Sequence, residues 1–369
     1  MSKRGIVCVT NDLTTDQRVR KTCMALMKCG YEVVETGRLL PDSMDFNPPY
    51  VIRRPKLWFR TGALFYAEYN IRLFFYLLFA KVDLIFSNDL DTLPAAFLAS
   101  KIRRKKLIYD THEYFTEMPE LVTRPRIQAI WKRFERMIFP HLKRIITVND
   151  SIAGLYATEY NKTIHVVRNI PPAYNPDKIR NKTQLGLPID KKILILQGTG
   201  INVDRGAEEA VLSLKYMEDV ALLIVGGGDV LPKLKKMVEE EQLSDRVIFK
   251  PKMPFAELRE YTMNADLGLA LDKDTNVNYR YSLPNKLFDF IHSGIPVLSS
   301  NLTEIKKIIE KYDIGYFIPN HNPEEIATTV KEIFANDSKY ETIKKNTHTA
   351  RAELNWESEE EILIKIIRD

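Results

Sequence analysis

Short apolar runs of strand length alternate with amphipathic segments along almost the whole chain. The first series of runs is GIVCVTN (5–11), YEVVETG (31–37), VDLIFSN (82–88), KKLIYDT (105–111), RIITVN (144–149) and IHVVRN (164–169). The second series is KKILILQG (191–198), ALLIVGG (221–227), RVIFKP (246–251), LGLAL (267–271), PVLSS (296–300) and GYFIP (315–319). Segments with helical periodicity separate the runs, for example 17–29, 92–103 and 124–139. This alternation is typical of parallel sheets whose faces are covered by crossover helices.

The alternation breaks in the segment 169–192, which is rich in Pro, Asn and charged residues. A chain of 369 residues is also too long for one hydrophobic core. We therefore predict an α/β protein with two Rossmann-like, doubly wound parallel-sheet domains, residues 1–170 and 171–351. Ligands bind beyond the carboxyl ends of such strands, so two facing domains would form a deep interdomain cleft.

The composition indicates a soluble protein of a reducing compartment. Its hydrophobic fraction of 45% is ordinary for such a protein, and its three cysteines are too few and odd in number for a disulfide framework. The sequence contains no CxxC motif or histidine cluster that would suggest a metal site. A polar start followed at once by an apolar strand does not resemble an export leader. We therefore expect a cytoplasmic protein.

The charge is distributed unevenly. Residues 1–150 carry 25 Lys and Arg against 16 Asp and Glu, or +9, whereas residues 151–369 carry 29 against 33, or −4. The basic runs RRPKLWFR (53–60) and KIRRKK (101–106) predict a peripheral contact with an anionic membrane at its inner face. A solvated helix end and a hairpin are the alternative. Charged residues interrupt the apolar segment 57–81, so it is not expected to span a membrane.

The stretch YRYSLPNKLFDFIHSGIPVL (279–298) contains the most informative helix of the sequence. Pro284 fits the first turn of a helix that runs from about Leu283 to Ser293, and Gly294 fits the position after its end. The first turn of a helix presents free backbone amides and the positive end of the helix dipole, which together bind anions.

The polar residues of this helix suggest what it binds. Lys286 adds a cation to the first turn, and Ser282 and Asn285 add hydrogen-bond donors. Asp289 lies one turn beyond Asn285 on the same face, where its carboxylate could accept the two hydroxyls of a ribose. A diphosphate on the helix start beside a ribose acceptor predicts a nucleotide-sugar site. A surface helix with a Ser cap and a solvated Asp remains the alternative.

The stretch also resembles the GT4-type retaining glycosyltransferases of GT-B fold, and the resemblance covers essentially the whole chain. That family usually has two glutamates eight positions apart, the second followed by Gly and a strand. Here Asp289 takes the second position, whereas Tyr281 takes the first. We assign the sugar contacts of the missing glutamate to Asn285 and Lys286. The terminal segment, about 352–369, resembles the helix that packs back on the first domain in this family.

The resemblance implies donor-binding roles for several other positions. QGTGINVDRG (197–206) is similar to the family's glycine-rich turn, in which Arg205 would grip the diphosphate; an arginine that caps the loop is the alternative. LLIVGGGD (222–229) is similar to the second-strand turn, and the loop 250–253 would pass over the nucleobase. The donor-binding residues implied are Ser282, Leu283, Pro284, Asn285, Asp289, Gly198, Gly200, Gly227, Lys250 and Met253.

In the first half, the resemblance places residues after three strands near the sugar and the acceptor. His112, in YDTHEYF (109–115), takes the position of a family histidine near the sugar; a structural histidine is the alternative. Asp16 is either an N-cap or a residue of the cleft. The acceptor-side residues implied are Asp16, Arg18, Asp89, Asp91 and Glu113.

The reaction implied is a retaining transfer of a sugar from UDP or GDP to a hydroxyl of a glycan or a lipid-linked acceptor, in the synthesis of a surface polysaccharide. Arg205, Lys286 and the helix start would stabilise the leaving diphosphate, with His112 near the sugar. The leaving group itself would deprotonate the acceptor, so neither a metal nor a cofactor is expected.

Two other classes of function stay open at this point. A sugar-nucleotide epimerase of the same fold would need acid and base carboxylates but no acceptor. A non-catalytic nucleotide-sugar binding module would account for the missing first glutamate at Tyr281. Nucleic-acid binding is not expected, because the basic residues are scattered and no helix-turn-helix or RNP-like motif is present.

Overall fold

The computed structural model describes residues 2–14, 16–38, 40, 43, 45–173 and 179–369. Residues 174–178 of the predicted break therefore lie outside the described residues. The chain divides into two compact units, of which the first comprises Met1–Asn169 with Glu359–Asp369 and the second Ile170–Ser358.

The first unit contains a seven-stranded parallel sheet with the strand order β3-β2-β1-β4-β5-β6-β7. Its strands are β1 (Lys3–Asp12), β2 (Tyr31–Arg38), β3 (Val51–Arg53), β4 (Leu84–Asn88), β5 (Lys106–Thr111), β6 (Ile145–Thr147) and β7 (His165–Val166). Its helices are α1 (Gln17–Lys28), α2 (Gly62–Phe79), α3 (Asp89–Arg103), α4 (Pro119–Val122), α5 (Pro125–Ile138) and α6 (Asp150–Tyr160). The order reverses between β1 and β4, which is the place where doubly wound sheets bind ligands.

The second unit contains a six-stranded parallel sheet with the order β10-β9-β8-β11-β12-β13. Its strands are β8 (Lys192–Gly198), β9 (Val220–Gly226), β10 (Val247–Lys250), β11 (Leu267–Ala270), β12 (Val297–Ser299) and β13 (Gly315–Phe317). Its helices are α7 (Ala207–Ser213), α8 (Leu231–Glu240), α9 (Phe255–Met263), α10 (Val277–Arg280), α11 (Asn285–Ser293), α12 (Thr303–Tyr312), α13 (Pro323–Ala335) and α14 (Asp337–Glu353). The last helix, α15 (Trp356–Arg368), belongs to the first unit from Glu359 onward.

The central strands are buried on both faces, which explains why their sequences are apolar without alternation. In β1, four consecutive residues, Ile6 to Val9, have almost no exposed surface. Helices cover both sides of such a strand, so neither face selects polar residues. The prediction of two doubly wound parallel sheets is thus confirmed.

Three helices begin at least two residues from the predicted start. The terminal helix α15 begins at Trp356 and not at about residue 352. α3 begins at Asp89 and not at residue 92, which places Asp89 and Asp91 in its first turn. α11 begins at Asn285 and not at Leu283, because Pro284 has the extended backbone of an N-cap with ψ 142°. Among the described helices, none combines the length and the apolarity that a membrane crossing requires.

Candidate functional site

In the second unit, the strand order reverses between β8 and β11, and the polar residues of interest lie at the carboxyl ends of these two strands. β8 ends in Gln197 and Gly198, and Asp272 follows β11 after one further apolar residue. Gly206, with φ 73°, allows the preceding turn to approach this point, because a Cβ atom there would lie 2.4 Å from the carbonyl oxygen of Leu271. The glycine therefore brings Arg205 beside Asp272.

Asp272 is fully buried and holds both predicted catalytic cations of this unit. The Arg205 Nη1 atom lies 2.6 Å from Asp272 Oδ1, and the Lys286 Nζ atom lies 2.8 Å from Oδ2. Burial alone would raise the pKa of Asp272, but Lys286 and Arg205 outweigh it and lower that pKa below its usual value. Two cations share one carboxylate, so the cluster keeps one net positive charge. Arg205 also stacks on the ring of Tyr279 at 4.4 Å from its centroid.

Asp289, one turn into α11, is buried and hydrogen-bonded rather than solvated. Gln197 Nε2 donates to Asp289 Oδ2 at 3.1 Å, and Thr262 Oγ1 donates to Gln197 Oε1 at 2.7 Å. The solvated surface carboxylate that the sequence left open is therefore excluded. The first turn of α11 is thus tied to the segment after β11 through Lys286, and its second turn is tied to the end of β8 through Asp289.

The other residues predicted to bind the donor lie in different environments. Asn285 is exposed at the start of α11, and Ser282 is half-buried three residues before it. Leu283 and Met253 pack against the apolar core of the second unit. Lys250, the last residue of β10, lies 5.6 Å from the centroid of the Tyr261 ring.

The two glycine turns of this unit are joined by backbone hydrogen bonds. The Gly227 amide donates to the Gly198 carbonyl at 3.1 Å, and the Ile201 amide donates to the Gly227 carbonyl at 2.8 Å. A Cβ atom at Gly228 would lie 2.0 Å from the Ile201 carbonyl oxygen, whereas one at Gly227 would meet only the flexible side chain of Lys252 at 3.6 Å. Gly200 lies in the same loop as Ile201.

In the first unit, His112 follows β5 and is surrounded by the ends of β4 and β5. Its backbone amide donates to Asp89 Oδ1 at 2.9 Å, and its Nδ1 atom lies 3.4 Å from Asp89 Oδ2. Its Nε2 atom lies 3.2 Å from Asn88 Oδ1 and 3.7 Å from Asp110 Oδ2. Burial lowers the imidazole pKa, but Asp89 and Asp110 outweigh it and raise the pKa of His112 to about 9. At neutral pH the ring is therefore an imidazolium.

Two carboxylates beside this histidine differ in charge state. Asp91 is buried, and its carboxylate accepts a hydrogen bond from Thr10 Oγ1. Burial, together with the nearby Asp89 carboxylate, raises the pKa of Asp91 to about 7. Burial would also raise the pKa of Asp110, but the Arg18 guanidinium outweighs it and holds that pKa well below its usual range. Asp110 therefore stays ionised, whereas Asp91 titrates near neutrality.

The remaining residues predicted on the acceptor side have mainly structural contacts. Arg18 is buried and binds Asp110 through two hydrogen bonds of 2.9 and 2.7 Å, and its Nη1 atom donates to the Val167 carbonyl at 2.7 Å. Asp16 caps α1 by accepting from the Val19 amide, as one of its two predicted alternatives requires. Glu113 is exposed.

The sequence prediction missed the residues that hold the named ones in place. Asp272 has a recognisable signal, since it is the first charged residue after the fully apolar run LGLAL at a strand's carboxyl end. Asp110 has the same signal within KKLIYDT. Gln197 and Thr262 have none, because their importance depends on the contact between β8, α9 and α11. Among the residues that the structure describes, no set of three or more His, Cys, Asp and Glu side chains is placed to share a metal ion.

Comparison with known proteins places both halves of the chain among glycosyltransferases. Residues 177–350 match the family described as Glycosyl transferases group 1, and residues 17–175 match Glycosyltransferase Family 4. These matches comprise 174 and 159 residues, or 333 of the 369.

A curated relative is the chitobiosyldiphosphodolichol beta-mannosyltransferase of Candida albicans, which is 23% identical over 281 residues. That match covers 69% of this chain, and the chain spans 60% of the length of the Candida protein.

Two solved structures resemble the chain over almost its whole length. Sucrose-phosphate synthase from Thermosynechococcus elongatus has a TM-score of 0.77 at 17% identity and covers 99% of this chain and 98% of its own. Anabaena Alr3699/HepE, solved in complex with UDP-glucose, has a TM-score of 0.74 at 13% identity, with 99% of each chain covered. At such identities the likeness shows the fold, which is GT-B.

Proposed function

Since the chain belongs to the GT4-type glycosyltransferases and has the GT-B fold, we propose that it is a hexosyltransferase that transfers a hexose from UDP or GDP to a hydroxyl of a glycan or lipid-linked acceptor. The bond between the anomeric carbon and the diphosphate oxygen breaks, and a bond to the acceptor oxygen forms. The acceptor proton passes to the leaving diphosphate. The products are the glycosylated acceptor and the free nucleoside diphosphate.

The observation that carries this proposal is the pair of cations that share Asp272 at the start of α11. Arg205 and Lys286 are held in place before any ligand arrives, and the cluster keeps one net positive charge. Charge that develops on a leaving diphosphate is stabilised best by such preorganised groups, since they need no rearrangement during the reaction. Removing one charged hydrogen bond costs about 1.5–3 kcal/mol, or roughly 10- to 150-fold in rate.

The nucleoside would be recognised by Asp289. Gln197 donates a hydrogen bond to one oxygen of its carboxylate and so restrains it, and the ribose hydroxyls would donate to this carboxylate. Asn285 and Ser282 would contribute donors at the same helix start, and the residues around Lys250 and Met253 would lie near the base. The backbone of the glycine turns at Gly198, Gly200 and Gly227 would pass close to the donor.

We propose a retaining, metal-independent reaction that uses no cofactor, with His112 as a donor to the sugar. An imidazolium cannot accept a proton, so His112 is not the base at neutral pH. Two observations favour the inverting alternative. Asp91 can accept a proton near neutrality, and the Candida relative is named a beta-mannosyltransferase. Proton NMR of the first product decides between the two courses. Retention of the anomeric configuration supports transfer of the acceptor proton to the leaving diphosphate, and inversion supports Asp91 as the base.

The acceptor is proposed to be a lipid-linked glycan in the assembly of a surface polysaccharide. The name of the Candida relative specifies a saccharide on diphosphodolichol, which is a lipid-linked acceptor. An enzyme that uses such an acceptor works at a membrane surface, and we place this one on the cytoplasmic face.

The first experiment is a thermal-shift series with UDP, GDP, inorganic diphosphate and no ligand. A nucleotide at about 100 times its Kd adds roughly 2.7 kcal/mol of stability and should raise the midpoint by a few degrees. Asp289→Ala should weaken the nucleotide but not inorganic diphosphate, whereas Lys286→Ala and Arg205→Ala should weaken both. The exposed Asp245 and Lys215 supply matched controls, Asp245→Ala and Lys215→Ala. If UDP or GDP raises the melting midpoint of Asp289→Ala and Arg205→Ala as much as that of the wild type, the nucleotide does not bind at the start of α11.

A further inference from the structure

The first unit presents two exposed aromatic side chains on an ordered turn. The Glu68 carboxylate accepts hydrogen bonds from the backbone amides of Trp58 and Phe59, at 2.9 Å for the closer oxygen in each case. The Arg72 guanidinium donates to the same carboxylate and lies 4.8 Å from the centroid of the Trp58 ring. Trp58 nevertheless keeps 83% of its surface exposed. The backbone of the turn is therefore held in place although most of the Trp58 side chain lies in solvent.

The helix that follows this turn is apolar on its outer side as well as on its inner side. The buried residues of α2 recur every four positions at Phe65, Tyr69, Leu73 and Leu77. The opposite side carries exposed apolar residues, namely Leu64, Ile71, Phe75 and Phe79, the last of them 78% exposed. A helix of a soluble protein usually carries polar residues on that side.

The neighbouring helices continue this pattern. α2 packs against α3. The ring of Tyr66 in α2 also contacts that of Trp131 in α5 edge-on, with 5.3 Å between the ring centroids. The exposed apolar residues of these two helices are Leu98 and Ile102 in α3 and Ile127, Ile130, Phe134 and Met137 in α5. On α5 the arginines 126 and 133 are exposed beside them. The helical layer thus combines apolar and cationic side chains on its outer surface.

A basic cavity of about 380 Å³ lies at the end of this layer, where α3 ends and β5 and β6 begin. Every charged side chain that the described residues contribute to its lining is cationic: Lys101, Arg104, Lys105, Lys106, Lys143 and Arg144. Lys105 is paired with Asp83, and Lys106 and Arg144 donate to carbonyl oxygens of the last helix and the C-terminal residue. A cavity of this composition attracts phosphate groups.

We propose that the outer surface of α2, α3 and α5, with the Trp58 turn and the basic cavity, is a docking surface for an anionic lipid bilayer. Aliphatic and aromatic side chains would enter the headgroup region, where Trp is favoured, and the cavity would bind lipid phosphates. The excess charge of +9 over residues 1–150 is complementary to such a surface. A nucleic acid would bind the cations but not the exposed apolar residues of α2, α3 and α5, so a lipid surface accounts for more of the observed features. The basic run 101–106 contributes Lys101, Arg104, Lys105 and Lys106 to this surface, and the run 53–60 contributes the exposed rings of Trp58 and Phe59.

The test is flotation of the full chain with vesicles of phosphatidylcholine alone and of phosphatidylcholine mixed with phosphatidylglycerol, without donor or acceptor. We expect binding to the mixed vesicles only. Lys101→Ala with Lys143→Ala should lower the partition coefficient by about fivefold per charge. Trp58→Ser with Phe79→Ser should lower it about tenfold or more. The matched controls lie in the second unit: Ile189→Ser, at a residue 75% exposed, and Lys236→Ala with Lys331→Ala.

Each other outcome would overturn the inference. Equal binding to both kinds of vesicle, or equal losses in the control variants, would show that the surface is not the one used. Displacement by inorganic phosphate at matched ionic strength would identify the cavity as a site for a soluble phosphate. A change of oligomeric state in the Trp58 and Phe79 variant would identify the face as an interface between two copies. Thermal shifts with UDP and GDP test the donor site separately, so either proposal can fail alone.

Discussion

At the residue scale, the candidate sites are built around buried carboxylates that organise cations. Asp272 fixes Arg205 and Lys286 in the second unit, and Asp110 fixes Arg18 in the first. Asp110 lies within β5, one residue before its end, and Asp272 lies two residues after β11, so both are held by the ends of buried strands. The reactive group and its support therefore come from different elements, and only the fold brings them together.

Replacement of the supporting carboxylate should disturb the chemistry more than binding. In Asp272→Asn the two cations lose their shared partner, so that Arg205 and Lys286 repel each other and no longer hold one geometry. We expect the transfer rate to fall by at least about tenfold, with a smaller change in nucleotide affinity, and the free energy of unfolding to fall by about 3 kcal/mol. Steady-state kinetics and urea titration measure the two effects, with Asp245→Asn as the control. An unchanged kcat would mean that Asp272 has no positioning role.

Asp91 should make the folded protein less stable as pH rises. Its pKa is about 7 in the folded state and about 4 in the unfolded state, so the folded state binds more protons between these values. Stability is consequently lost as pH rises through that window and is constant above it. Asp91→Asn removes this loss. The free energy of unfolding of the variant, relative to that of the wild type, should therefore rise from pH 4 to pH 7, by at most about 1.4 kcal/mol per pH unit. Chemical denaturation of both proteins at several pH values measures this difference in the free energy of unfolding. A difference that does not change with pH would show that Asp91 does not titrate in this range.

At the element scale, periodicity and turn residues predicted twelve of the thirteen described strands and the helices α1, α3, α5, α11 and α15. The strands were recognised as continuous apolar runs bounded by Gly, Pro and Asn, because a strand that is buried on both faces shows no alternation of polar and apolar residues. The start of α11 was wrong by two residues, since Pro284 suits both the first turn and the cap before it. The short edge strand β3 was not predicted, because three residues (51–53), one exposed and two half-buried, carry no periodic signal.

The glycine turn after β9 offers a matched pair of substitutions. In Gly228→Ala the new Cβ atom would lie 2.0 Å from a backbone oxygen of Ile201, so the backbone must shift. In Gly227→Ala the Cβ atom makes an ordinary contact with Lys252. We expect Gly228→Ala to lower the free energy of unfolding by about 2 kcal/mol or more, and Gly227→Ala by no more than about 0.5 kcal/mol.

Thermal and urea unfolding of both variants, followed by nucleotide titration, give the comparison. A Gly227→Ala protein that is stable but binds UDP or GDP poorly would support the proposed passage of the donor along this turn. Equal destabilisation of the two variants would contradict the packing described here.

At the scale of the whole molecule, the sequence predicted two parallel-sheet units but little of what lies at their surfaces. Charge counts located an excess of cations in the first half, and the structure shows where the exposed apolar residues lie beside them. The apolar outer side of α2 could not be separated from its inner side by sequence, because both sides are apolar and the helix has almost no polar face. The sequence also could not predict the hydrogen-bond partners of Asp289, because they come from elements that are distant in sequence.

The last helix provides a test of how the chain is divided. α15 buries Leu363 within the first unit, whereas the neighbouring Ile362 is 40% exposed. Leu363→Ala should therefore lower the stability of the first unit by about 2–5 kcal/mol, and Ile362→Ala should change it by less than about 0.5 kcal/mol. Hydrogen exchange followed by mass spectrometry resolves the effect: protection should fall in β1, β4 and β5 and persist in β8, β9 and β11. Equal loss of protection in both sheets would mean that the two units unfold as one.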